Sequence, residues 1–144
     1  MNTRSRNKSD GAGLKSKGRG TASATPPADA VRAAQDAIRK EPTLPENYTV
    51  LAGALRTLAQ SLREGNREGS DHLLHLACAA AWEAKSKFGP ELVSGRTKQE
   101  IKILIAWLRT KNHIGPEASE SLMDEIHSKH LSEALDESVL SNGG

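Results

Sequence analysis

The sequence predicts an all-α protein, a compact bundle of four to five helices preceded by a disordered basic tail. Three observations lead there. Apolar residues recur at spacings of three and four along most of the chain, and no alternating run of useful strand length is present. The apolar residues, 36% of the chain, are mostly Ala and Leu, with Tyr48, Trp82, Phe88 and Trp107 as the aromatics. Small side chains of this kind suit close helix packing better than the β-branched and aromatic faces of a sandwich. Pro and Gly fall between the periodic segments, where they start and stop helices.

The tail comprises residues 1 to 27. Arg4, Arg6, Lys8, Lys15, Lys17 and Arg19 face one acid, Asp10, so it carries +5, whereas the whole chain sums to +2 and residues 28 to 144 to −3. Gly11, Gly13, Gly18 and Gly20, interspersed with Ser, Thr and Lys, bury too little apolar area to offset chain ordering, so disorder is expected. Six cations on such a chain approach any polyanion without fixed geometry, which makes them candidate anion or nucleic-acid contacts, weak and steeply salt-sensitive. A solubilising extension accounts for them equally well. No apolar stretch follows the early charges, as a secretory signal requires, and the tail has almost none of the apolar face of a transit peptide.

Residues 28 to 140 read as one helical domain and 141 to 144 as a flexible end. The first helix runs from about Ala28 to Lys40, placing Val31, Ala34 and Ile38 on one face, with Pro42 enforcing its end. The second begins near Glu46 after Pro45 and carries Tyr48, Leu51, Leu55, Leu58 and Leu62 as one stripe. Gly65 is placed to end it in a left-handed cap, and Asn66 to Gly69 reads as a polar loop. The third helix takes Ser70 or Asp71 as N-cap and runs through an alanine-rich face to a stop at Gly89-Pro90. Thr97 followed by Glu100 reads as a capping box opening the fourth helix. Its Ile101, Ile103, Leu104, Ile105, Trp107 and Leu108 spread around most of the circumference, so it is either the centre of the bundle or carries a partner-binding face around Ile103 and Trp107. The fifth starts at Pro116, with Leu122, Met123, Ile126, Leu131 and Leu135 inward.

Four histidines form two His-x-x-His pairs, His72/His75 and His127/His130, each on one helical face. Two helices can present four imidazoles to one tetrahedral ion, with Cys78 as a soft alternative ligand, but neither pair includes the Glu of di-iron bundles and no resident cofactor is expected. The stretch His72-Leu-Leu-His75-Leu-Ala, on a small bundle, resembles histidine phosphotransfer domains. It lacks the Lys and Gly that such domains place after the phosphorylated His, and an ordinary helical histidine accounts for it better. The Arg67-x4-His72 spacing resembles that of HEPN ribonucleases, also helical bundles, but falls in the expected loop and reads as coincidence.

The fourth and fifth helices, joined through Ile114-Gly115, have roughly helix-turn-helix spacing. The would-be recognition helix carries Glu117, Glu120, Asp124, Glu125, Glu133, Asp136 and Glu137 against Lys129 alone, and phosphate repulsion makes it a poor groove reader. An antiparallel hairpin with an acidic solvated face is expected instead. Lys98, Lys102, Arg109 and Lys111 add positive charge to the fourth helix. The longest apolar runs, Leu76 to Trp82 and Ile103 to Leu108, are far below the roughly 20 residues that cross a bilayer. A lone Cys78 forms no internal disulfide and fits a reducing, cytoplasmic setting. No nucleophile elbow, phosphate loop, paired apolar carboxylates or metalloprotease helix is present, so no enzyme is expected. The preferred expectation is a non-catalytic interaction or accessory module with a protein partner or self-association; the alternative is a nucleic-acid accessory factor using its tail.

Overall fold

Each helix of the protein is built around punctuation that the sequence supplies, and the core forms where their small-residue faces meet. The computed structural model describes residues 26–88 and 93–143, so the disorder expected at residues 1 to 27 lies, but for Pro26 and Pro27, outside the described residues, as does the stop at Gly89-Pro90. Among the described residues there are six helices: α1 Pro27–Lys40, α2 Pro45–Leu62, α3 Arg67–Phe88, α4 Gly95–Asn112, α5 Pro116–Ala134 and the short α6 Ser138–Gly143. No strand occurs among the described residues. Proline occupies the first turn of α1, α2 and α5, where its missing N–H leaves no hydrogen bond unmade.

In α1, Val31, Ala34 and Ile38 are buried as their spacing requires, and so is Gln35. Its Nε2 donates to the carbonyls of Ala134 and Asp136 at 3.0 and 3.1 Å, satisfying acceptors left over at the end of α5. In α2, Tyr48, Leu51 and Leu55 are buried with Ala52 and Ala59, and the Tyr48 hydroxyl donates to the Pro42 carbonyl at 2.7 Å. Gly65 does not take the left-handed conformation expected of it. The chain leaves α2 through right-handed Arg63, with Asn66 N–H reaching back to Leu62 O at 2.7 Å.

The expected loop from Asn66 to Gly69 is mostly helix. Asn66 is the N-cap of α3: its Oδ1 accepts from Gly69 N–H at 2.9 Å, so neither Ser70 nor Asp71 performs that role. Helix α3, not α4, is the centre of the bundle. Leu73, Leu76, Ala77, Cys78, Ala79, Ala80, Ala81 and Ala84 are all shut off from solvent, and α2, α4, α5 and α6 pack on it. Alanine on this face lets neighbouring backbones approach closely, so the element with the smallest side chains is the one surrounded.

Helix α4 opens differently from the expected capping box. Ser94 is the N-cap, its Oγ accepting from Thr97 N–H at 3.2 Å. Thr97 turns inward to share a 2.6 Å hydrogen bond with the Thr49 hydroxyl, and Glu100 leaves the helix end to pair with Arg56 on α2, at 2.5 Å from Nε and 3.2 Å from a terminal nitrogen. The segment closes on His113 in the left-handed conformation, φ 55° and ψ 49°. Met123 and Ile126 of α5 are buried, and Leu122, Leu131 and Leu135 half-buried. The backbone of 141–143 is helical where a loose end was expected, and Val139 anchors α6 in the core. No helix among the described residues is long and apolar enough to cross a membrane.

Candidate functional site

Because α4 lies on the side of the bundle, a single ridge of Thr97, Glu100, Leu104 and Leu108 faces inward and leaves two partly exposed flanks. On one flank Ile101 and Ile105 meet Trp82 of α3 and Val93 to form a groove of about 260 Å³. Lys85, Lys98 and Lys102 edge it, against Glu120 alone. Trp82 is held in place from both sides: its Nε1 donates to Asp124 at 2.6 Å, and Lys85 Nζ lies 4.2 Å from its ring centroid. Lys98, Ile101, Lys102 and Ile105 follow helical spacing, a signal present in the sequence, where these residues read instead as an apolar circumference and a separate set of cations. Trp82 and Lys85, brought from α3 across a sequence gap, carry no such signal.

The residues expected to bind a partner, Ile103 and Trp107, sit on the opposite flank, half-buried. The indole of Trp107 packs against the His75 ring at a centroid distance of 5.4 Å, with Lys111 Nζ 5.9 Å from its centroid. Trp107 also walls a hollow of about 200 Å³ with Arg63, Arg67, Asp71, Thr110 and Lys111. Lys111 is paired to Asp71 at 2.7 Å.

Three of the four paired histidines converge beside this flank. The His130 ring lies 5.7 Å from that of His72 and 6.0 Å from that of His75. The fourth, His127, turns to Glu83 at 2.8 Å, so the expected tetrahedral set of four imidazoles does not form. His72 is itself engaged by Glu133 at 2.5 Å, and the His75 Nδ1–H donates to the Asp71 carbonyl at 2.9 Å. Burial, opposed by that hydrogen bond, holds the His75 pKa below its usual 6.5. Cys78 is shut in the core, where burial pushes its thiol up to about 12. No group of three or more His, Cys, Asp and Glu side chains is arranged to hold a metal among the described residues.

His72 is therefore a bridging residue between α3 and α5 rather than the free, exposed imidazole of a phosphotransfer domain. Arg67, expected in a loop, is helical after all, but it points into the Trp107 hollow while His72 meets α5, so the two do not act together. The acidic residues Glu117, Glu120, Asp124 and Glu125 of α5 are exposed, as a solvated face requires. The six tail cations lie outside the described residues. Comparison with protein-family models, with curated proteins and with solved structures finds no match for this chain.

Proposed function

We propose that this chain is a non-catalytic helical interaction module that seats an acidic, amphipathic segment of a partner protein in the groove between α3, α4 and the start of α5. One observation carries the reading. The groove has an apolar floor of Trp82, Val93, Ile101 and Ile105 and a rim of three lysines against one glutamate. Apolar anchors at helical spacing fill such a floor, while carboxylates flanking them meet the lysines, giving orientation and on-rate. Tryptophan, here Trp82 in the groove wall, is also among the side chains that most often dominate binding energy. A lone thiol locked in the core fits a reducing compartment such as the cytoplasm.

Selection of a displayed random-peptide library on the full chain tests this. The expected consensus places Leu, Ile or Phe at helical spacing between Asp and Glu. Ile101→Glu removes binding, and the pair Lys98→Glu/Lys102→Glu shifts selection toward basic peptides. A selection that is unchanged by these substitutions overturns the proposal. So does a concentration-dependent mass that Ile101→Glu abolishes, since the occupant is then a second copy of the chain.

A further inference from the structure

The Trp107 side of α4 has different chemistry, and we infer that a single-stranded nucleic acid enters there, with Trp107 taking a base and Arg63 and Arg67 holding phosphates, and crosses the exposed face of α4 at Thr110 toward Arg109. The Trp107 hollow, which carries the inference, shares no lining residue with the protein groove and lies across the buried ridge of α4 from it. The end of α2, the first turns of α3 and the last turns of α4 converge on the Trp107 hollow, bringing three cations to it against one carboxylate, Asp71. Asp71 is committed to Lys111 at 2.7 Å, and Arg63 and Arg67 form no ion pair among the described residues. The hollow therefore carries two arginine forks, the geometry that best matches phosphate oxygens. Glu64 and Glu68 are exposed and line neither hollow on this flank.

The ligand is a chain rather than a lone anion because the positive surface does not end at the hollow. Thr110 also lines a second depression, with Ala106, Arg109 and Ile114, so the two share a wall and the cations run on past it. A row of cations with one aromatic beside it is how proteins hold single strands without reading their sequence, since every base has a face that stacks and every link carries a phosphate. A duplex is disfavoured, because its paired and stacked bases present no face to Trp107.

Fluorescence anisotropy of a labelled single-stranded oligothymidylate with the full chain tests the track, with Arg63→Ala/Arg67→Ala, Trp107→Ala and a tail variant in which the six basic residues are Gln. The arginine pair is expected to weaken binding and to lower the slope of log affinity against log salt by about 1.4, two single-strand phosphate contacts' worth. Trp107→Ala is expected to weaken binding about tenfold with the slope unchanged. In Trp82→Phe, where Trp107 is the one remaining indole, oligonucleotide quenches the emission and inorganic phosphate does not. Thermal melts of each variant check that the fold is kept. Binding lost in the tail variant but intact in the arginine and Trp107 variants overturns the inference, as does quenching by phosphate alone.

Discussion

Arg56→Ala offers the sharpest test of the packing between α2 and α4. Glu100 and Arg56 meet through two hydrogen bonds, with the carboxylate side chain 11% exposed and the guanidinium side chain 25%. An uncompensated, fully buried charge costs about 3–5 kcal/mol, whereas an exposed ion pair contributes about 0–1 kcal/mol. Glu100 lies nearer the buried limit and cannot reach bulk water by rotating, so Arg56→Ala is expected to cost about 2–3 kcal/mol. At roughly 4 °C per kcal/mol for a body of this size, the thermal midpoint falls by about 10 °C. Glu100→Gln leaves Arg56 free to extend its longer, more exposed side chain into solvent and costs about 1 kcal/mol. The double change Arg56→Leu/Glu100→Leu removes both charges and returns to within about 1 kcal/mol of the parent. Urea unfolding followed by circular dichroism measures all three. The reasoning is refuted if Arg56→Ala costs less than Glu100→Gln, or if the double variant loses as much as the sum of the singles.

The remaining predictions concern backbone, pH and the thiol. Gly53→Ala in the middle of α2 is expected to stabilise by about 0.5–1 kcal/mol, because the added Cβ meets only Glu100 Oε1 at an ordinary 3.7 Å; a lower urea midpoint contradicts this. His113→Gly is expected to add about 1 kcal/mol by relieving the left-handed cap of α4, read the same way. Acidification is expected to destabilise in two stages. Burial lowers the His75 pKa, so the unfolded chain binds the extra proton first and stability falls as pH drops below 6.5. Burial pushes the Glu83 carboxyl up, but hydrogen bonds from His127 and Lys87 outweigh it and leave it below 4.5, so a further loss follows as pH falls through that lower value. His75→Leu flattens the first stage and leaves the second, as urea midpoints across pH show. Cys78, fully buried with its thiol pushed up to about 12, is expected to react with Ellman's reagent only as fast as the protein opens, the rate rising with urea.

The periodic apolar stripes and prolines of the chain determined the helices themselves, since a turn of helix is a local event: Val31, Ala34 and Ile38, or Tyr48, Leu51 and Leu55, are buried where their spacing put them. Helix ends were less legible because several polar residues compete for each cap. Asn66 and Ser94 won over Ser70 and Thr97, which the fold drew inward instead. The centre of the bundle stayed open in the sequence, because the apolar circumference of α4 suited either a central helix or one with a partner-binding face, and the alanines of α3 proved to be the surrounded element. Burial depends on how closely neighbours approach, and only the assembled helices reveal that small side chains allow the closest approach. Tertiary structure alone joined Trp82 to Ile101 and Ile105, Arg63 to Trp107, and His127 to Glu83. A helix specifies its own faces through a 3.6-residue repeat, but which face meets which is settled by packing between segments far apart in the chain.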